Sequence, residues 1–127
     1  MERDKVERFL GRLGEALSNG DLQAISACFA VPALVLSDAG AIVISATDEI
    51  ERFFAQAVQG YRAQGVASTR PVIERLDVLG EKVASVDVSW PAFAADGTER
   101  WTERSHYLLQ VDQEGRQRIR VALSRTV

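Results

Sequence analysis

The chain has one cysteine, Cys28, and one histidine, His106, among 127 residues. A single thiol excludes an intrachain disulfide and fits a reducing cytoplasm, so a cytoplasmic location is expected. One Cys and one His leave too few soft donors for a transition-metal site, and neither a metal nor a cofactor is expected. Long apolar runs are also missing: none approaches the roughly 20 residues that a membrane helix needs. The opening residues, Met1-Glu2-Arg3-Asp4-Lys5, are charged and lack the apolar stretch of a secretory signal. Basic residues are neither in excess nor in blocks; the net charge is −3. The basic stripe of a nucleic-acid binder is therefore absent. No linker, repeat or low-complexity segment marks a boundary, so a single domain over residues 1–127 is expected.

What is present is a change of period. Val6, Phe9, Leu10, Leu13 and Leu17 recur at helical spacing. Gly11 and Gly14 interrupt this helix and are expected to pack closely against another element. Asn19-Gly20 ends it, with Gly20 free to take the left-handed cap, and Asp21 caps a short second helix carrying Leu22, Ile25 and Phe29 inward. Val31 to Leu36 and Ala41 to Ser45 form a strand pair around Asp38-Ala39-Gly40. Thr47 is expected to cap a third helix, with Asp48 and Glu49 at its positive end and Ile50, Phe53, Phe54, Ala57, Val58 and Tyr61 on its apolar stripe. Arg62 and Gly65 read as its stop. From Gly65 to Val127 the period is two. The spacing predicts strands over Pro71 to Leu79, Lys82 to Ala94, Glu99 to Val111 and Arg116 to Arg125. The separators Gly80-Glu81, Asp96-Gly97 and Gln113-Glu114-Gly115 have turn chemistry.

Turn geometry sets the register. A two-residue turn at Asp96-Gly97 places Ala92 opposite Trp101, Trp90 opposite Glu103, Val88 opposite Ser105, Val86 opposite Tyr107 and Ala84 opposite Leu109. A three-residue loop at Gln113-Glu114-Gly115 places Leu109 opposite Ile119, Tyr107 opposite Val121 and Ser105 opposite Leu123. Both put Ala84, Val86, Val88, Tyr107, Leu109, Ile119, Val121 and Leu123 on one buried face. Ser85, Asp87, Ser89, Arg104, His106, Arg118 and Arg120 share the other. Val72, Leu76 and Val78 suggest one face of the preceding strand, interrupted by Glu74. Toward the Asp96-Gly97 end the buried face becomes aromatic and polar. A small-molecule pocket is expected there, lined by Trp90, Trp101, Glu103, Ser105 and Tyr107, with Tyr61, Phe9, Leu13 and Phe54 from the helices.

The stretch from Asp21 to Gly65 followed by four strands resembles the nuclear transport factor 2-like superfamily, which includes ketosteroid isomerases, scytalone dehydratase and polyketide cyclases. The resemblance rests on Asn19-Gly20-Asp21-Leu22, Phe29-Ala30-Val31-Pro32, Gly40, Thr47-Asp48-Glu49-Ile50, and Val83-Ala84-Ser85-Val86-Asp87-Val88 ahead of Asp96-Gly97. It implies an α+β fold: a cone-shaped, curved antiparallel sheet wrapped around three N-terminal helices, open at one end. It also implies a homodimer through the outer face, where Asp87, Ser89, Arg104, His106, Arg118 and Arg120 form a mixed-charge surface able to pair with itself. Two departures stand out. The acidic base that isomerases and some cyclases carry after the second helix is replaced by Phe29-Ala30-Val31-Pro32. Many members place a Trp where this chain has Gln117.

No cluster makes a catalytic motif. His106, opposite Asp87, falls on the polar outer face and reads as a structural or interface pair. Cys28 reads as a small buried hydrophobe. Glu103 is the one candidate catalyst: burial beside Trp90 and Trp101 would weaken its acidity and suit it to general acid or base work. The first reading is thus a pocket protein for a small apolar or aromatic ligand, acting as a homodimer. A lyase or isomerase of the polyketide-cyclase or dehydratase type, with Glu103 as base and Tyr107 or Tyr61 as donor, is the second. A dimerisation or adaptor module without a ligand is the third.

Overall fold

The computed structural model of the chain describes residues 1–125; Thr126 and Val127, the end of the alternating stretch, lie outside the described residues. Helix α1 spans Arg3–Asn19 and buries Val6, Phe9, Leu10 and Leu13 along one face. Gly20 closes it at φ 65°, in the left-handed conformation that costs glycine nothing. Asp21 accepts a hydrogen bond from the Ala24 amide at 3.2 Å and so starts α2, Leu22–Ala27. The hairpin of β1 (Phe29–Ser37) and β2 (Gly40–Ile44) turns on Asp38 and Ala39 alone, with Gly40 already paired to Ser37. Helix α3 spans Thr47–Ala63. Thr47 is its first helical residue rather than its cap; Ala46 precedes it and offers no side-chain bond, so the N-terminal end relies on Asp48 and Glu49 in the first turn.

The remaining strands are β3 (Ser68–Thr69), β4 (Val72–Val78), β5 (Val83–Phe93), β6 (Glu99–Val111) and β7 (Gln117–Arg125). The sheet runs β2-β1-β7-β6-β5-β3, with β4 also pairing with β5. The sheet is curved and unclosed, and the three helices pack on its concave face. Every pair is antiparallel except β1 with β7. That parallel pair ties the first strand to the last and was not visible in a reading of adjacent segments. Strand β3 has no sequence signature either, because two residues carry no period. It is held by Ser18 of α1, whose Oγ accepts from the Thr69 amide at 3.0 Å and donates to the Thr69 carbonyl at 3.1 Å.

The β5–β6 register is the expected one from Ala84 opposite Leu109 to Ala92 opposite Trp101. The turn itself differs. Ala94 bonds to Thr98 across a loop of Ala95, Asp96 and Gly97, with Gly97 at φ 87°. Phe93 then faces Glu99, and Arg100 is an extra residue that restores the frame. Between β6 and β7 the expected frame holds from the turn, where Asp112 bonds to Arg116, through Val111 opposite Gln117 to Leu109 opposite Ile119. Beyond it Leu108 faces Val121, Tyr107 faces Ala122 and Ser105 faces Ser124, leaving Arg120 as a bulge. Val121 and Leu123 are therefore not on the core face; Ala122 packs there instead. The cause is non-local: the Arg120 guanidinium donates to the Pro32 carbonyl of β1 and, at 3.0 Å, to Gln110 Oε1. A third bulge, at Glu74 in β4, turns Ile73 and Leu76 toward the core and leaves Val72 on the opposite face.

Leu10, Leu13, Ile25, Ile44, Ile50, Leu109 and Ile119 are among the largest fully buried side chains and form the floor of the cone with Val86 and Val88. Gly14 lets α1 approach the sheet: a Cβ there would stand 3.1 Å from Pro71 Cδ and 3.3 Å from the Trp90 ring. Gly11 has no such reason, since a Cβ there would meet nothing within 4 Å.

Candidate functional site

At the open end of the cone lies a cavity of about 190 Å³. Helix α1 supplies Leu13, and α3 supplies Phe54 and Tyr61; strands β5 and β6 supply Trp90, Trp101, Glu103, Ser105 and Tyr107. The alternation of β6 puts its odd residues on the concave side, and the period of α3 sets Phe53, Ala57 and Tyr61 in one row above them. Phe9 does not reach the cavity. It lies one turn before Leu13 on α1, about 6 Å along the axis, and is buried at the far end of the helix. The structure adds Phe29, Val35, Phe53 and Ala57 to the apolar wall and Thr69 and Arg62 to its edge. The α3 stripe held a signal for Phe53 and Ala57. Phe29 and Val35 depend on the β1–β7 pairing, which no local pattern displays.

The main polar groups form a pair and a trio. Deep in the cavity the Trp90 Nε1–H donates to the Tyr107 hydroxyl at 3.1 Å, both rings being buried. Burial pushes the Tyr107 phenol up to about 12, more than the hydrogen bonds from Ser105 and Trp90 pull it down. At neutral pH Tyr107 is therefore a phenol that accepts from Trp90 and keeps its own proton to donate. At the mouth Glu103 accepts from the Tyr61 hydroxyl at 2.8 Å and from Trp101 Nε1–H at 3.3 Å. The Tyr61 and Trp101 rings stand 6.5 Å apart, centroid to centroid. Partial burial and the bond to Glu103 hold the Tyr61 phenol well above the ordinary tyrosine range. Glu103 is exposed rather than buried, and the Tyr61 and Trp101 rings hold it by their polar edges.

The outer face divides otherwise than its sequence suggests. Asp87 and His106 do pair, with Nδ1 2.7 Å from Oδ1, and Arg125 adds a bond to the same oxygen at 2.9 Å. His106, and secondarily Arg125, hold the Asp87 carboxyl below its usual range. Ser89 is only 6% exposed and donates to Glu74 Oε1. Arg118 is turned to Asp112 and the Ala27 carbonyl, and Arg120 to β1 as described. These three are spent within the chain, while Arg104 stands exposed. The Arg120 bulge instead carries Val121 and Leu123 to this side, level with Leu34 and Leu36 of β1 and beside Leu108.

Among the described residues no group of His, Cys, Asp and Glu could hold a metal ion, and no helix is long and apolar enough to cross a membrane. A family model described as NTF2-like protein (DUF6841) matches residues 3–127. No curated protein matches the chain. Among solved structures, a domain of unknown function with a cystatin-like fold from Nostoc punctiforme superposes with a TM-score of 0.78 at 17% identity, covering 100% of this chain and 80% of that one. An NTF-2 like protein of unknown function from Shewanella oneidensis gives 0.72 at 20% identity, with 98% of each chain covered. A ketosteroid isomerase-like protein from Erwinia carotovora gives 0.70 at 13% identity, covering 98% of this chain and 96% of that one. At these identities the likeness speaks for the fold.

Proposed function

We propose, for a chain that belongs to the NTF2-like family DUF6841, that the cone binds one small, ring-sized apolar ligand without transforming it. The observation that carries this is the fixed pairing of the cavity's polar groups. A cavity of about 150 Å³ lined by apolar side chains can hold benzene. About 190 Å³ suits a single substituted ring. The ring would lie against Leu13, Phe54 and Ala57, and its acceptor would take the Tyr107 proton.

The enzymatic reading has less support. A general base needs a free lone pair aimed at a substrate proton and an acidity matched to its task. Glu103 is exposed, and each of its oxygens already receives a hydrogen bond. The segment after α2, Phe29-Ala30-Val31-Pro32, supplies no acid in its place.

The protein would act as a homodimer through the outer face. Leu34, Leu36, Leu108, Val121 and Leu123 give that face an apolar centre, flanked by the Asp87–His106–Arg125 cluster, which suits a two-fold contact. Light scattering at micromolar protein should give twice the mass of the chain, and a monomer there would refute the dimer. For the pocket, titration with 4-methylphenol should change indole emission, because Trp90 and Trp101 both line the cavity. Tyr107→Phe should weaken that binding by about tenfold through loss of one buried hydrogen bond. Indole emission indifferent to such phenols would remove the reading.

A further inference from the structure

A second concavity, of about 600 Å³, lies at the opposite end of α1, between that helix and the β6–β7 turn. It is unlike the cone. Lys5, Arg8 and Arg12 enter it from α1, and Arg116 and Arg118 from the turn side. No acidic residue lines it. Positions 5, 8 and 12 fall on one face of a helix, whereas Asp4, Glu7 and Glu15 fall outside the lining, and Glu7 pairs with Arg3 at 3.0 Å. Arg118 is braced by Asp112 at 3.2 Å and by the Ala27 carbonyl at 2.7 Å, which fixes its fork at the edge of the cleft. Lys5, Arg8 and Arg12 make no ion pair among the described residues. The floor is apolar, from Phe9, Ala24 and Cys28.

Clustered like charges destabilise a fold. Arg116 pairs with Glu114 at 3.5 Å and Arg118 with Asp112, so in a chain of net charge −3 the uncompensated positive charge of the cleft is that of Lys5, Arg8 and Arg12 on α1. The field reaches the floor: burial raises the Cys28 thiol's pKa, and Arg12 and Arg118 oppose the rise. Gln117, also in the lining, keeps a buried Oε1 with no hydrogen-bond partner. That oxygen is an acceptor and calls for a donor, which the basic side chains around it can supply and an oxyanion cannot.

We propose that this cleft binds a small organic anion with two or more negative charges, phosphate or carboxylate, on an apolar body. Arginine forks match both oxyanions in bidentate geometry. The apolar floor distinguishes an organic anion from an inorganic one. The cleft's concavity favours a small molecule over a duplex or a bilayer, each of which needs a basic surface laid along its own contour.

The test is calorimetric titration of the full chain, in low salt, with phenyl phosphate, phthalate and inorganic phosphate, while indole emission is followed. Phenyl phosphate or phthalate should bind saturably, and at least about tenfold more tightly than inorganic phosphate, because the ring is buried on the floor. Indole emission should not move, since Trp90 and Trp101 are both in the cone. The exposed pair Arg8→Glu with Arg12→Glu should abolish binding, and Arg8→Gln with Arg12→Gln should weaken it by about tenfold or more. A preference for phenyl phosphate over phthalate, or the reverse, identifies which oxyanion is read. Absence of saturable binding, binding undiminished in both double variants, or a shift of indole emission on binding would each overturn the proposal. A probe that entered the cone instead would move indole emission and keep its affinity in both double variants, which separates this outcome from binding in the cleft.

Discussion

The two concavities sit at opposite ends of α1, and they manage polarity in opposite ways. In the cone the aromatic and acidic polar groups partner one another: Trp90 with Tyr107, and Tyr61 and Trp101 with Glu103. In the basic cleft Lys5, Arg8 and Arg12 have no such partner among the described residues. A network satisfied from within is rigid and ready-made. A cluster of like charges stores repulsion that a counter-charge from outside relieves. Changes in the cone should therefore cost stability, and changes in the cleft should not.

The largest effect should come from Trp90→Ala. Trp90 is 6% exposed, fills the space beside Gly14 and holds the Tyr107 hydroxyl. Its loss should cost about 3–5 kcal/mol in urea unfolding, since it opens a cavity and strips a buried phenol of its partner. A loss below about 1 kcal/mol would mean that the cone is not a packed network.

Alkali should reveal the same network. The chain has two tyrosines, Tyr61 and Tyr107, and both phenols are raised above the ordinary value, Tyr107 to about 12. An unfolded tyrosine ionises near about 10. Between those values the unfolded chain gives up protons that the folded chain keeps. Stability is thus full below about pH 10 and is lost as pH rises toward the folded values. Phenolate absorbance should stay absent through pH 10 in the folded protein and appear together with unfolding. Ionisation of one tyrosine near pH 10 with the fold intact would break the picture at the mouth or at the floor.

Tyr61→Phe should act more mildly. It removes one hydrogen bond to a carboxylate that water can still reach, a loss of about 0.5–1.5 kcal/mol in thermal unfolding. The smallest effect should be Arg12→Gln in the cleft. Removing one of several like charges should leave stability unchanged or raise it by a few tenths of a kcal/mol at low salt, and added salt should erase the gain. A clear loss on Arg12→Gln would mean that the cleft is as internally satisfied as the cone.

The legibility of these regions in the sequence follows from how far apart their determinants lie. The β5–β6 ladder was readable because alternation and the Asp96-Gly97 turn are both local. Its turn is one residue longer than expected, but the Arg100 bulge removes the offset, so Trp90 still faces Glu103. The β6–β7 ladder was readable only from its turn to Leu109, because the bulge beyond depends on Arg120 reaching Pro32 in a distant strand. Eight of the nine residues expected around the pocket line the cavity, whereas Phe9 shares the helical stripe of Leu13 but points to the other end. A stripe names a face of a helix and says nothing of position along it. The charge of the basic cleft was hidden for a similar reason: Lys5, Arg8 and Arg12 look scattered in a chain where Arg116 and Arg118 lie about a hundred residues away, and only the fold gathers them.

The parallel seam between β1 and β7 also sets an order in time. Residues 29–36 find their partners at positions 119–123, so the longest loop in the sheet must close before the helices have a complete surface to rest on. During synthesis the hairpin of β1 and β2 leaves the ribosome long before β7 exists. Until then Phe29 and Val35 have no strand on that side, and α1 and α3 cover a half-built cone. The native assembly is consequently a late event, and the nascent chain is most exposed to wrong partners just before its last strand emerges.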